Sequence, residues 1–154
     1  MEENFPDLSC TEDIILVTIT FLPSDSYVLA DIINLLCEND VSIDIIASPP
    51  VSSKGACLTF TVEGCDIDKL LKISTMLKKF YSRISFSINC TNVKFRVFNI
   101  FKDQTRTLFT SVLTVLKNHD IPVRFVICAK NEFLIITDNH YCEFACRLIK
   151  QTIK

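Results

Sequence analysis

Residues 14–43 read IILVTITFLPSDSYVLADIINLLCENDVSI, and residues 94–123 read KFRVFNIFKDQTRTLFTSVLTVLKNHDIPV. Shifted by 80 positions, the two stretches match in apolar pattern without a gap. Ile15, Val17 and Phe21 fall on Phe95, Val97 and Phe101. Val28, Leu29, Ile32, Ile33 and Leu36 fall on Leu108, Phe109, Val112, Leu113 and Leu116. Val41 and Ile43 fall on Ile121 and Val123, and Asp40 on Asp120. Beyond this the offset drops to 74: Phe60 and Val62 meet Leu134 and Ile136, so the first copy carries a longer loop. The period is too long for a solenoid repeat and marks a duplicated domain.

The periodicities name the elements of each copy. Residues 14–21 alternate, with Ile15, Val17, Ile19 and Phe21 on one face, as a half-buried strand does. Val28, Leu29, Ile32, Ile33 and Leu36 form one face of a helix over 26–38, which Ser24 or Asp25 can cap. Residues 41–47 and 57–63 read as strands separated by Pro49-Pro50 and Gly55. A helix over 66–80 buries Ile67, Leu70, Ile73, Leu77 and Phe80, and a fourth strand covers 83–88. The second copy repeats the order with a strand at 93–101, a helix at 105–118, strands at 122–128 and 132–137, and a last helix from near Asn139 that carries Phe144 and Leu148.

The order β-α-β-β-α-β specifies an α+β fold: two ferredoxin-like domains packed side by side, each an antiparallel sheet with both helices on one face. The second copy reaches Lys154 without a fourth strand. We therefore expect the first domain at 13–90, the second at 91–154, and a segment 1–12 that completes the second sheet, a role a second chain could also fill.

Composition narrows the function. The chain has 154 residues, 49% hydrophobic and 22% charged, so it is built to bury a core. A net charge of −2 is poor footing for nucleic acid, whose binding rests on basic neutralisation of phosphates. RNA-binding modules of the same β-α order stack bases on exposed sheet aromatics. Here the third strand, Leu58-Thr59-Phe60-Thr61-Val62, offers Phe60 alone, which we assign to the core. The N-terminus has no basic and apolar leader, and no apolar run approaches the roughly 20 residues that span a bilayer. The expectation is a cytoplasmic protein without membrane or nucleic-acid partners, its eight cysteines mostly reduced core thiols.

Catalytic signatures are missing. With only Gly55 and Gly64, no phosphate-cradling loop can be built. His140, Cys142 and Cys146 make the one conceivable metal cluster, but their spacing matches no common zinc pattern, so we expect no metal and no cofactor. No serine or cysteine nucleophile has a histidine nearby in sequence, and an enzyme is not expected.

The segment Leu22-Pro23-Ser24-Asp25-Ser26-Tyr27-Val28-Leu29-Ala30-Asp31-Ile32-Ile33 resembles the first strand-to-helix turn of an aspartokinase ACT domain, usually close to L-P-D-x-P-G-V-A-A-x-I-F. Asn39-Asp40-Val41-Ser42-Ile43-Asp44-Ile45-Ile46 is similar to the family's A-G-I-N-V-D-M-I, and Leu58–Val62 to its I-S-F-T-V. Asp66-Ile67-Asp68-Lys69-Leu70 resembles the helix start that follows, and Asp120–Val126 stands where G-I-N-I-E-M-I would. The resemblance spans 14–154.

It implies a non-catalytic regulatory protein that binds a small amino acid, such as lysine or threonine, at an ACT–ACT interface. The implied effector site is Pro23, Ser24, Asp25, Ser26, Tyr27, Val28 and Leu29 of the first turn, with Ser42, Ile43 and Asp44 of the second strand. A helix N-terminus suits a carboxylate, and Asp44 an ammonium, unless it is simply a solvated strand residue. The implied partners are a second copy, as a homodimer, and a kinase or other biosynthetic enzyme. Two departures matter. Tyr27 replaces the glycine that lets a ligand approach the backbone, and Pro122 replaces the second copy's Asn, removing an amide and a backbone donor. The alternative is a degenerate paralogue that has lost its ligand and keeps only assembly.

Overall fold

The computed structural model describes residues 5–23, 26–50, 55–101 and 103–154, except the side chain of Ser26. The elements are β1 (Asp7–Leu22), α1 (Ser26–Glu38), β2 (Ile43–Ala47), β3 (Ala56–Glu63), α2 (Ile67–Phe80), β4 (Ser85–Phe98), α3 (Thr105–Asn118), β5 (Val123–Cys128), β6 (Phe133–Asp138) and α4 (Cys142–Thr152). Short 3-10 turns at Gly64–Asp66 and Asn139–Tyr141 lead into α2 and α4. The chain divides into a first unit, Ile14–Cys90, and a second unit, Met1–Asp13 with Thr91–Lys154.

In the first unit the strand order is β2-β3-β1-β4. β3 pairs antiparallel with β1, setting Val17 opposite Phe60, and with β2, setting Ile46 opposite Phe60. The inward positions of β1 and β3, namely Ile15, Val17, Ile19, Leu58, Phe60 and Val62, are at most 2% exposed. Val28, Ile32 and Leu36 of α1 and Leu70, Ile73 and Leu77 of α2 close over them. Phe60 is therefore core.

The second unit repeats the arrangement in the order β1-β4-β6-β5. β6 pairs antiparallel with β4 and β5. Val93, Phe95, Val97, Phe133 and Ile135 face Val112 and Leu116 of α3 and Ala145 and Ile149 of α4. The fourth-strand position beside β4 is occupied by β1, whose residues Asp7–Asp13 belong to this unit. Leu8 packs on its core, and Asn99 donates to the Asp7 carboxylate.

Several sequence expectations change. The strands placed at 83–88 and 93–101 are one strand, β4, and β1 begins at Asp7 instead of residue 14. Phe21 was assigned inward but is half exposed: its φ of +60 turns it out at a register break between Ile19 and Leu22, and Leu22 takes the buried place. Phe101 is likewise out, because β4 ends at Phe98, Asn99 turns the chain at φ +58, and Ile100 is buried instead. Phe80 ends α2 with its ring in solvent, while the next residue, Tyr81, packs on the core. Phe144 is partly exposed on α4, whereas Leu148 is buried. The cysteines are not core thiols: five are exposed and Cys57, Cys142 and Cys146 are intermediate, since they hold outward or flanking places such as Cys37 beside buried Leu36.

Gly55 earns its place. Its φ is +104, and an added Cβ would lie 2.5 Å from the Leu22 carbonyl oxygen. Only glycine lets the chain pass that close before β3 begins.

α1 and α3 end in the same way. Val41 N–H donates to Leu36 and Asp40 N–H to Cys37; 80 residues on, Ile121 N–H donates to Leu116 and Asp120 N–H to Lys117. This is the Schellman pattern, with buried Val41 and Ile121 covering Leu36 and Leu116. It requires a left-handed residue after the cap, and Asp40 and Asp120 supply it at φ +53 and +54. Both stand where the resembled family carries glycine. Asp40→Gly and Asp120→Gly are each expected to stabilise the protein by about 0.5–1 kcal/mol, by relieving left-handed strain, as urea denaturation would measure.

Candidate effector site

The sequence-implied site lies in the first unit, where β1 gives way to α1 and where β2 begins. Pro23 is exposed at the end of β1, while Ser24 and Asp25 fall outside the described residues. Ser26 opens α1. Tyr27 is 75% exposed, so the side chain standing at the family's glycine points away from the core. Val28 is 7% exposed and Leu29 packs against the core, so both serve α1 packing. At β2, Ser42 and Asp44 are exposed and Ile43 is half-buried. Asp44 sits at a register break: Ile43 pairs with Val62, but Ile45 pairs with Thr61. Such a bulge re-aims a side chain. The buried Thr61 hydroxyl fixes it by accepting from the Ile45 N–H at 3.1 Å.

The start of β2 is held by residues the sequence argument did not assign to the site. Asp66, 3% exposed, accepts the Ser42 N–H at 3.0 Å and pairs with the Lys69 ammonium at 2.8 Å. Lys69 also donates to the Asp40 carbonyl at 2.6 Å. Carboxylate and ammonium thus grip the chain on both sides of Val41. Lys69 and the Ser42 N–H together hold the Asp66 carboxyl below its ordinary range. The signal in sequence was the Asp66/Lys69 spacing of three at a helix start; nothing local reveals that its target lies 24 residues earlier.

The second copy is built differently at the equivalent place. β5 has the same break between Val123 and Phe125, with Arg124 at the position of Asp44. Pro122 supplies only a carbonyl, which the Thr137 hydroxyl occupies. Arg124 donates to the Thr91 carbonyl at 2.8 Å and Asn92 Oδ1 at 2.7 Å, and pairs with Asp138. The His140 backbone N–H and the Arg124 guanidinium hold the Asp138 carboxyl below its usual range. In the turn, Thr105 is buried and its hydroxyl donates to the Lys130 carbonyl at 2.9 Å. Arg124 at the bulge and Thr105 at the start of α3 are thus each tied to other parts of the second unit.

Other chemistry is sparse. Among the described residues no cluster of three metal-ligating side chains occurs, and no helix is long and apolar enough to cross a membrane.

No protein-family model matches the chain, and no curated protein matches it by sequence. Solved structures do match by fold. The regulatory subunit of aspartate kinase from Thermus flavus is 12% identical with a TM-score of 0.85, over 98% of this chain and 100% of that one. The Thermus thermophilus regulatory subunit, in ligand-free form, is 14% identical with a TM-score of 0.81, over 96% and 97%. Aspartokinase III of E. coli, in complex with lysine and aspartate, is 12% identical with a TM-score of 0.70, over 99% of this chain and 34% of that one. At these identities what is shared is the fold: the chain is similar, along nearly its whole length, to the ACT-type regulatory region of aspartokinases.

Proposed function

We propose that this chain is a non-catalytic regulatory protein that binds one small amino acid at the first unit and acts on a partner enzyme of amino-acid biosynthesis. The observation that carries the proposal is the end-to-end match to regulatory subunits of aspartate kinase. The strand registers support a site between two copies. On β3, Ile43 is level with Val62 and Leu22 with Ala56, so the start of α1 and the bulged Asp44 lie at opposite ends of one unit. One ligand would meet the α1 N–H groups of one copy with its carboxylate and Asp44 of the other with its ammonium. Lysine and threonine are the leading effectors, lysine because the E. coli aspartokinase III structure holds it. In the second unit Pro122 removes an amide side chain and a backbone donor from the equivalent place, so one site per chain is expected. Assembly as a homodimer through ACT units, with a kinase or other biosynthetic enzyme as the regulated partner, belongs to the same proposal.

A thermal-shift screen of the common amino acids tests it. Binding to the folded chain raises the melting temperature by mass action, by about 2.7 kcal/mol in stability at a hundredfold excess over Kd. A rise with lysine or threonine is expected; no rise with any amino acid at millimolar concentration rejects it. Tyr27, exposed where the family's glycine would admit a ligand, favours a second reading, an assembly module without ligand. That reading expects a dimer by light scattering whose stability ignores every amino acid.

A further inference from the structure

Within the second unit, β1 and α4 bring thiols together. Cys10 and Cys142, 132 residues apart in sequence, have their sulfurs 3.6 Å apart. Alternation along β1 puts Leu8, Cys10 and Glu12 on one face, and Leu8 packs on the core that α4 covers. Cys142 opens α4, and Cys146 follows one turn later; both pack at the margin of that core. Cys10 is exposed, so a small oxidant can reach it. A disulfide needs its sulfurs about 2.05 Å apart. The remaining approach of roughly 1.5 Å is of the size a side-chain rotation on an exposed strand residue supplies.

We propose that Cys10 and Cys142 form a reversible disulfide that fastens the N-terminal strand to α4. With a peroxide as oxidant, a thiolate sulfur attacks one peroxide oxygen and breaks the O–O bond. This gives a sulfenic acid and, after protonation, water. The second sulfur then displaces the sulfenic hydroxyl, which leaves as a second water as the S–S bond forms. Two thiols lose two electrons and two protons, and the peroxide is reduced to two waters. A dithiol reductant reverses the step by thiol–disulfide exchange.

The bond would matter because residues 7–13 are held in the second unit by non-covalent contacts, among them strand pairing, the Leu8 contact and the Asn99–Asp7 hydrogen bond. Joining positions 10 and 142 closes most of the chain into a loop, which restricts the unfolded state strongly. Partial burial beside Cys142, with Cys146 and Glu12 nearby, pushes the otherwise exposed Cys10 thiol up to about 12, and burial also raises Cys142. Thiolate is therefore scarce at neutral pH, and the device responds to sustained oxidation, not to a brief pulse.

The test uses the full chain carrying Cys37→Ser, so that the tryptic peptide 1–54 contains Cys10 as its single thiol. After hydrogen peroxide treatment and alkylation, peptide 1–54 should be found joined to peptide 131–147, which holds Cys142 and Cys146. Adding Cys146→Ser should keep the link, and adding Cys142→Ser should abolish it. Oxidation should raise the melting temperature by roughly 5–10 °C, reversed by dithiothreitol, and Cys10→Ser should show no such rise. Absence of the link, its persistence with Cys142→Ser, or a linked protein that melts no higher would overturn the proposal.

Discussion

Phe60→Ala is expected to destabilise the protein by about 3–5 kcal/mol, the range for deleting a fully buried phenylalanine. Phe60 is 1% exposed at the centre of β3, with Val17 opposite on β1 and Ile46 on β2. Its ring sits among residues from both helices of the first unit, so truncation leaves a void that rigid strands on either side cannot collapse to fill. Urea denaturation measures the loss. The result also separates two functions of this fold order. A base-stacking aromatic on a sheet surface would leave stability within about 0.5 kcal/mol when removed.

Asp66→Ala comes next, with an expected loss of about 2 kcal/mol, the scale of hydrogen bonds made by a charged group. The substitution leaves the Ser42 N–H without its acceptor and Lys69 without its counter-charge. Because Lys69 and the Ser42 N–H lower the folded-state pKa of Asp66 below its ordinary 3.8, the carboxylate's contribution is complete above that value and is lost as pH falls through the lowered one. The stability gap between the native chain and Asp66→Ala should therefore be constant from neutral pH down to about 4 and shrink below it. A gap unchanged at pH 2–3 would mean that Asp66 acts by packing and not by charge. Since the clamp positions β2, the variant should also weaken effector binding without touching the effector.

The duplicated core was legible in the sequence because it rests on periodicity. Val17 with Val97, Ile32 with Val112, and Leu36 with Leu116 are each at most 1% exposed in their units. What escaped was local backbone geometry. Alternation alone put Phe21 and Phe101 inside, but left-handed residues at Phe21 and Asn99 hand the buried places to Leu22 and Ile100. The exposed cysteines escaped because an apolar neighbourhood in sequence says nothing about which side of an element faces solvent. Within the candidate site, Val28 and Leu29 pack their side chains on the core, which leaves their backbone groups to face an effector; Asp66 and Lys69 escape a sequence reading because their partners, Ser42 and Asp40, are distant in the chain.

The most direct measurement is calorimetric titration of the full chain with lysine and with threonine, alongside Asp44→Ala. One of the two should bind saturably with one site per chain, and Asp44→Ala should weaken it at least tenfold, about 1.4 kcal/mol for a lost ammonium–carboxylate contact. No heat from either amino acid, or equal binding by Asp44→Ala, would contradict an effector site at the first turn and the start of β2.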